Sequence, residues 1–531
     1  MIELVVIADD LTGALDTGAQ FAKQGVATFV AGRAEPDFSA ADPSCAVIAV
    51  NAESRHLPAR EAAERVRRIV RDAMAHGARR FYKKTDSGLR GNVGAELAAL
   101  IEAAGCCAEG GDVAHGASAV AVGGAAGDVS VAKGSGAAER GSAAEGRDAV
   151  AEGGVAEGVC AAVGTGSAAG GAIGAGGDFW AGAGRALPFV PAFPKNGRVT
   201  RGGVQYVDGA PLAESVFARD PFEPVRHSEV ARIIREQADL PVISVPASKY
   251  RSGAQGTGAA SARPAIHVYD AETDDDLRAI CERLKHRGIP RLLAGCAGFA
   301  EFLPDLLCLP RSPALRASRL GCALLVCGSV SSVALGQLRA ARAAGYEPHT
   351  LSPGLKLSPE GEGGPEAAAF ARTVAASLCG RGRAALQAAA GSEDIEAAGA
   401  RAAALGIAPE AARARIARNI GAMAWRVMGA ARDCGRPVDT LIVFGGDTLS
   451  AVLRCAGHAE DAGHADYAGN AGHAGCSGLR PIAEILPGVA ASRLVMPDGS
   501  LSELSLITKS GGFGGAVADI ERALAAGRPP E

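Results

Sequence analysis

Short apolar runs alternate with segments of helical periodicity through the first hundred residues of this 531-residue chain. The runs Leu4 to Ala8, Val26 to Val30 and Ala46 to Val50 predict buried strands. Helical spacing of apolar residues follows in Gly13 to Gln24 and in Pro58 to His76. Strands separated by helices of this length favour a mainly parallel sheet covered on both faces. The pattern therefore predicts an α/β fold.

A second α/β pattern follows a proline-rich segment. Single cores stop growing at about 250–300 residues, so a chain of this length is expected to hold two domains. Pro304 to Ser318 has no clear period and is interpreted as the linker, and a strand is predicted at Cys322 to Cys327. We predict α/β domains at residues 1–312 and 320–531, with the active site in the cleft between them.

Two segments of low complexity are predicted to be insertions. Residues from about 106 to 185 are dominated by Ala, Gly and Ser, and a second segment spans about 455 to 478. Neither has enough large apolar residues to form a core. The second carries His458, His464 and His473, but their spacing matches no standard metal site, so no metal-binding residues are predicted. The 13 cysteines form no C-x-x-C pair and are interpreted as small buried hydrophobes.

Charge and hydropathy exclude several classes of partner. The net charge is −4 and 21% of residues are charged, which does not favour nucleic acid or an anionic membrane. No apolar run approaches the ~20 residues that span a bilayer. The start of the chain reaches Asp9 without a basic leader. We expect a cytoplasmic protein with small-molecule partners, and the sequence leaves open whether it forms a homo-oligomer.

Paired acids follow the first predicted strand. Asp9 and Asp10 would lie at the carboxyl end of that strand, where open α/β sheets bind ligands. Two adjacent carboxylates suit sugar hydroxyls, general-base work or Mg²⁺. The alternative is that Asp10 or Thr12 only caps the next helix. Arg55, also after a strand, is either a bidentate clamp for a carboxylate or a solvated loop arginine.

The densest polar cluster of the chain follows the strand predicted at Arg80 to Lys83. Lysine, arginine, hydroxyl and carboxylate groups on one loop can bind an acid substrate, and the aspartate can take a proton from an alcohol. The candidate residues of this loop are Lys84, Thr85, Asp86, Ser87 and Arg90.

The C-terminal half carries three glycine- or serine-rich turns. Glycines let backbone N–H groups approach phosphate, and helix N-termini favour its charge. No turn matches the P-loop pattern. Together the three turns predict a nucleotide site formed by Ser329, Ser331, Gly445, Gly446, Asp447, Thr448, Lys509, Gly511 and Gly512.

These motifs in combination resemble the four-carbon acid sugar kinases. The resemblance rests on the runs Ala8 to Gly18, Lys84 to Asn92, Gly445 to Thr448 and Lys509 to Gly514. It implies that ATP, with Mg²⁺, phosphorylates the terminal hydroxyl of threonate, erythronate or 3-oxo-tetronate. Implied contacts with the acid are Asp9, Asp10, Arg55, Lys84, Thr85, Asp86, Ser87 and Arg90, with Asp86 or Asp10 as the base. The residues of the predicted nucleotide site, together with Gly488, would contact ATP.

Two departures and two alternatives accompany this resemblance. Gly88 stands where relatives usually carry Thr, which predicts a looser loop and an altered choice of substrate, and the Gly295 to Gly298 segment is also unusual. The alternatives are a nucleotide-dependent dehydrogenase and a sugar-acid sensor without turnover. NADH binding would favour the first, and a bound acid without ATP consumption would favour the second.

Overall fold

Short strands connected by helices make up most of the described chain. The computed structural model describes residues 2–32, 36–39, 44–109, 186–220, 223–251, 263–312, 320–359, 364–456, 476–496, 500–509 and 516–526. The strands are β1 (Leu4–Ala8), β2 (Thr28–Ala31), β3 (Val47–Asn51), β4 (Phe81–Lys84), β5 (Ala186–Val190), β6 (Arg198–Arg201), β7 (Val204–Val207), β8 (Ala210–Pro211), β9 (Val242–Val245), β10 (Ala265–Tyr269), β11 (Leu292–Gly295), β12 (Ala323–Cys327), β13 (Glu347–Thr350), β14 (Arg383–Gln387), β15 (Thr440–Phe444), β16 (Gly478–Leu486), β17 (Val489–Val495) and β18 (Leu501–Lys509).

The α-helices begin and end as follows: α1 (Leu11–Ala22), α2 (Ala59–Ala75), α3 (Val93–Glu109), α4 (Val230–Arg235), α5 (Ser248–Arg251), α6 (Asp274–His286), α7 (Ala297–Ala300), α8 (Leu303–Leu306), α9 (Ser332–Ala343), α10 (Pro353–Lys356), α11 (Gly364–Arg381), α12 (Ser392–Ala404), α13 (Pro409–Asp433), α14 (Gly446–Cys455) and α15 (Val517–Ala526). In α2 the buried residues Ala62, Val66, Ile69 and Ala73 recur every three or four positions, so one face of the helix packs on the core.

The sheet contains two parallel sections in one continuous order. The N-terminal section is β2-β3-β1-β4-β11-β5-β10-β9, and the C-terminal section is β13-β14-β12-β15-β18. The antiparallel strands β16 and β17 lie between them, and β16 pairs with β2. A separate three-stranded antiparallel sheet contains β6, β7 and β8. The predicted α/β class with mainly parallel pairing is confirmed, whereas the β16–β18 connection was not predicted.

One apolar cluster joins the two parallel sections. Leu11 and Leu15 of α1 belong to the same buried cluster as Leu449 and Leu453 of α14 and Leu479 of β16. Both sections also lie in one compact unit. The helices α1 and α14 lie close together within this unit, and the candidate site lies where they meet.

Several predicted boundaries shift in the structure. α1 starts at Leu11 rather than Gly13, because Asp10 caps it. α3 continues to Glu109, past the predicted start of the first insertion. Residues 110–185 and 457–475, which hold most of both insertions, lie outside the described residues, as do residues 313–318 of the predicted linker. The division into domains at residues 312 and 320 stays a prediction.

Candidate active site

Two adjacent carboxylates after β1 contact one arginine that follows the neighbouring strand β3. Asp10 Oδ1 accepts a hydrogen bond from the backbone N–H of Gly13 at 2.7 Å and so caps α1. Asp10 Oδ2 lies 2.7 Å from Arg55 Nη1, and Asp9 Oδ2 accepts a hydrogen bond from Arg55 Nε, also at 2.7 Å. Asp10 therefore caps the helix and also belongs to a charged cluster.

Arg55 lies at the centre of this cluster. Its side chain is 12% exposed, and its Nη2 lies 3.7 Å from Asp86 Oδ1. Burial alone would raise the pKa of Asp9, but the charges of Arg55, Lys83 and Lys84 outweigh it and hold that pKa below its usual value. The buried arginine is thus held by charge and hydrogen bonds, which excludes the solvated-loop interpretation.

Asp86 and Arg90 form a second ion pair on the loop after β4. Arg90 Nε donates to Asp86 Oδ2 at 2.8 Å, and Arg90 Nη2 donates to Asp86 Oδ1 at 2.9 Å. Arg90 Nη1 reaches Asp220 Oδ2 at 2.9 Å. Burial would raise the pKa of Asp86, but the charges of Arg90 and Arg55 hold it well below its usual value. Both oxygens of Asp86 are therefore committed to hydrogen bonds that favour the ionised form.

Lys84 lies across the first turn of α1. Its ammonium donates to the Thr85 carbonyl at 2.9 Å, and a Cβ on Gly13 would come within 2.9 Å of Lys84 Nζ. The lack of a side chain at Gly13 therefore leaves room for the lysine. The Thr85 hydroxyl donates to the carbonyl of Gly295 at 3.3 Å, which ties this loop to the end of β11. Ser87 is partly exposed.

One pocket collects most of the predicted acid-binding residues. Asp9 and Thr85 are almost fully buried behind it. Asp16 lines the pocket but was not predicted to do so; the signal was its position one helical turn after Thr12 and Gly13. The lining residues are Asp10, Thr12, Gly13, Asp16, Arg55, Lys84, Asp86, Ser87, Arg90, Phe193, Asn196, Ala297 and Gly488.

The serine-rich turn after β12 packs against the glycine turn after β15. Ser331 Oγ accepts from the backbone N–H of Ala334 at 3.2 Å and caps α9, while Ser329 Oγ lies 3.3 Å from Ser331 Oγ. The backbone N–H of Gly328 donates to Thr448 Oγ1 at 3.1 Å. The predicted nucleotide residues on these two turns are thus neighbours.

The glycine turn ends in the N-terminus of α14. Gly445 has a φ of 95°, a left-handed conformation that favours glycine, and α14 begins at the next residue. Asp447, on the first turn, is exposed. Backbone N–H groups at the start of a helix can donate hydrogen bonds to a phosphate.

Of the remaining predicted nucleotide residues, Lys509 lies beside the glycine turn, since its carbonyl accepts a hydrogen bond from the backbone N–H of Gly445 at 3.1 Å. Lys509 ends β18 with its Nζ 5.3 Å from the centroid of the Phe444 ring, and burial lowers its pKa to about 8. Gly511 and Gly512 lie outside the described residues. Gly488 lines the pocket of Asp10 and Arg55, so its contact with ATP stays a prediction.

The start of α14 contacts the start of α1. A Cβ on Gly446 would lie 2.9 Å from Thr12 Oγ1 and 4.0 Å from Asp10 Oδ2. At the other end of α14, Arg454 Nη1 lies 3.3 Å from Glu53 Oε1. The glycine turn of the C-terminal section therefore abuts the acidic pocket of the N-terminal section.

Gly88 is packed rather than loose. It is buried, and a Cβ there would lie 2.7 Å from the Phe217 ring. The same ring lies under the guanidinium of Arg90, 5.0 Å from its centroid. The predicted loosening of this loop is therefore wrong, because Phe217 fills the space that a larger side chain would need.

We expect Gly88→Thr to displace Phe217 and, with it, Arg90. Overpacking of this kind costs about 1–3 kcal/mol, so the KM for the acid should rise about tenfold while the KM for ATP changes little. Steady-state kinetics of Gly88→Thr and of the double variant Gly88→Thr/Phe217→Ala check this. The double variant has room for the threonine and should recover part of the loss; an unchanged KM for the acid in Gly88→Thr would contradict the packing argument.

Comparison with known families agrees with an acid pocket in the N-terminal section and nucleotide-binding turns in the C-terminal section. A family model described as a sugar-binding N-terminal domain matches residues 4–124 and 138–303, which is more than half of the chain. A second, described as a nucleotide-binding C-terminal domain, matches residues 324–460. The chain belongs to the four-carbon acid sugar kinase family. It is accordingly a carbohydrate kinase, and the predicted resemblance is confirmed.

Two relatives in this kinase family match 97% and 64% of the chain. D-threonate kinase of Salmonella typhimurium is 27% identical over 97% of this chain and 96% of its own length. D-erythronate kinase of Heliobacterium modesticaldum is 26% identical over 64% of this chain and 60% of its own length. A solved structure from Salmonella typhimurium LT2 has a TM-score of 0.61 and 19% identity, covering 98% of both chains, which supports the fold. In the part of the chain that the structure describes, no helix is long and apolar enough to cross a membrane.

Proposed function

We propose that this kinase transfers the γ-phosphoryl group of ATP to the terminal hydroxyl of a four-carbon sugar acid, giving the 4-phosphate. The observation that carries the proposal is the approach of Gly446 to Thr12 and Asp10. A phosphate bound by the N–H groups at the start of α14 would face the pocket of Asp10 and Arg55. Phosphoryl transfer needs mainly such positioning and charge stabilisation.

The cations of the pocket suit the carboxylate of the acid. Arg55 Nη2 is 3.7 Å from Asp86 Oδ1, beyond hydrogen-bond distance, and Lys84 and Arg90 line the same pocket as Arg55. Guanidinium groups bind carboxylates through paired N–H donors. The Ser87 hydroxyl and Asp10 would contact hydroxyl groups of the acid.

The nucleotide would bind on the C-terminal turns. Ser329, Ser331 and Thr448 would supply hydroxyl groups, and Gly446 and Asp447 at the start of α14 would supply backbone N–H groups. The N–H of Gly445 itself donates to the Lys509 carbonyl at 3.1 Å. Lys509 would approach the phosphates, whose negative charge would favour its protonated form despite burial. Gly511 and Gly512 follow it directly in the sequence.

Mg²⁺ fits this site as an ion held mainly by phosphate oxygens. Asp447 offers one exposed carboxylate on the first turn of α14, and Mg²⁺ commonly takes one or two carboxylates together with substrate phosphates. Among the described residues, no group of three or more potential metal ligands occurs, so the protein would not hold Mg²⁺ by itself. When bound, Mg²⁺ would neutralise charge on the transferred phosphoryl group.

An ADP-release assay tests the proposal. The purified chain is incubated with ATP, Mg²⁺ and either D-threonate, D-erythronate or 3-oxo-tetronate, and ADP is measured by coupled oxidation of NADH in a separate enzyme pair. We expect acid-dependent ADP release, with D-threonate first in the screen because a relative that matches 97% of the chain is named a D-threonate kinase. Binding of an acid without ADP release would support the sensor, and NADH binding to the chain would support the dehydrogenase. A cytoplasmic location and a homo-oligomer stay predictions.

A further inference from the structure

Three carboxylates line the acid pocket, and they differ in their hydrogen bonds. Asp10 accepts a hydrogen bond from Gly13 N–H through Oδ1 and forms an ion pair with Arg55 Nη1 through Oδ2, each at 2.7 Å. Asp86 accepts from Arg90 through both oxygens. Asp16, on the second turn of α1, makes no hydrogen bond or ion pair at these distances with any residue that the structure describes. Of the three, Asp16 is the carboxylate for which neither oxygen has a partner among the described residues.

Asp16 lies on α1 close to the point where the two substrates would meet. Thr12 and Gly13 precede it by four and three residues, so the three positions share one helix face, and all three line the pocket. Thr12 is the residue that the start of α14 contacts, through Gly446. Asp16 therefore lies one helical turn from the point at which a bound phosphate would face the acid.

We propose that Asp16 is the catalytic base, the group that takes the proton from the terminal hydroxyl of the sugar acid. As its proton passes to a carboxylate oxygen of Asp16, the hydroxyl oxygen forms a bond to the γ-phosphorus of ATP. The bond between that phosphorus and the oxygen bridging to the β-phosphate breaks, and ADP leaves with the electron pair. The proton on Asp16 is then released to solvent. This role rests on the proposed kinase function.

The electrostatic surroundings support a base that titrates near neutrality. Burial raises the pKa of Asp16 to about 7; Lys84 opposes the shift, Asp10 and Glu484 add to it, and Arg55 opposes it. Glu484, on β16, is itself paired with Lys23 at 3.3 Å. A base is most effective when its pKa lies near the working pH. The low pKa of Asp86 makes that residue a weak proton acceptor, better suited to holding Arg90 and Arg55 in place.

The kinetic test compares Asp16→Asn with Asp86→Asn in the full-length chain. With ATP, Mg²⁺ and the acid that the wild type uses best, Asp16→Asn should lower kcat by about 10²–10⁴-fold, with both KM values within a few fold. The wild-type kcat/KM should rise with pH through about 7, and Asp16→Asn should lack that rise. Asp86→Asn should instead mainly raise the KM for the acid.

A second readout does not depend on activity. An Asp whose pKa is raised in the folded state costs stability as pH increases from its unfolded value, about 3.9, to about 7. Asp16→Asn removes this cost, so its melting temperature relative to wild type should be higher at pH 8 than at pH 5. An equal difference at both pH values would show that Asp16 does not titrate as the proposal requires.

The failures of the two proposals are distinguishable. If the wild type releases no ADP with any four-carbon acid, the proposed function is overturned and this role falls with it. If the wild type is active and Asp16→Asn keeps kcat within a few fold, or keeps the rise near pH 7, the role of Asp16 alone is overturned. A rise in the KM for the acid without loss of kcat would assign Asp16 to positioning Lys84 and would equally overturn it as the base.

Discussion

Replacement of Arg55 by Met is expected to lower kcat/KM for the sugar acid about a hundredfold or more. A hydrogen bond to a charged group contributes about 1.5–3 kcal/mol, and about 1.4 kcal/mol corresponds to a factor of ten. The substitution also removes the cation that separates the carboxylates of Asp9, Asp10 and Asp86. Steady-state kinetics with either substrate varied check this, and the KM for ATP should change far less.

Two matched variants separate binding from loop structure. Arg55→Lys keeps the charge but not the planar set of donors, so most of the loss should remain. Arg65→Met removes hydrogen bonds from Arg65 Nη1 to the carbonyls of Ala52 at 2.9 Å and Glu53 at 3.3 Å, on the same loop but outside the pocket. If Arg65→Met matched Arg55→Met in its effect on the acid, the role of Arg55 would be structural. An unchanged KM for the acid in Arg55→Met would remove it from the site.

Replacement of Lys83 by Met is expected to destabilise the protein by about 3–5 kcal/mol. Lys83 is fully buried in β4, with its Nζ 3.2 Å from Glu96 Oε2. Its ammonium also donates to the carbonyls of Ile7 at 3.2 Å and Lys84 at 2.9 Å. Without the lysine, the buried carboxylate of Glu96 has lost its cation, and the ends of β1 and β4 lose a shared donor.

Urea denaturation measures this loss, and pH modulates it. Burial raises the pKa of Glu96 even with Lys83 present. Proton uptake by Glu96 should therefore make Lys83→Met less destabilising at pH 5.5 than at pH 8. The double variant Lys83→Met/Glu96→Leu should recover much of the loss.

Lys285→Met removes an exposed pair with Glu282 at 2.8 Å and should cost less than about 1 kcal/mol. Equal losses for the buried and exposed pairs would contradict the argument.

Local sequence patterns predicted the strands that carry the site with small errors. β1 has the predicted bounds, β12 begins one residue later than predicted, and β3 and β4 are each shifted by one residue. The predictions come this close because β1 and β12 are short apolar runs between polar or glycine residues. Since parallel strands end at one edge, the residues after β1, β3 and β4 could be predicted to meet. The sequence pattern therefore predicts that Asp10, Arg55 and Asp86 lie close together.

Partners that depend on long-range packing could not be predicted. Lys83 ends a predicted strand, and no residue near it in the sequence indicates the partner that allows its burial, which is the carboxylate of Glu96 on α3. Phe217 lies 129 positions after Gly88 in the sequence, and nothing near either residue indicates their contact. Asp16 has the spacing of a pocket residue, but only the three-dimensional structure shows that, unlike Asp10, it has no hydrogen-bond partner among the described residues.

The strands β16–β18 show a further limit. They follow a segment of low complexity, and charged residues such as Arg480, Glu484 and Arg493 interrupt their apolar pattern. The sequence around them does not alternate between strand and helix, since these strands pair antiparallel through short turns. They are nevertheless what joins the two parallel sections into one sheet, through the pairing of β16 with β2.

The position of the transferred phosphate tests the central claim most directly. The full-length chain is incubated with ATP, Mg²⁺ and the four-carbon acid that gives the fastest ADP release, and the product is analysed by mass spectrometry and phosphorus NMR. We predict one added phosphoryl group whose phosphorus couples to the two protons of the terminal methylene carbon. A phosphate on an internal hydroxyl or on the carboxylate, or ADP release without any phosphorylated acid, would contradict it.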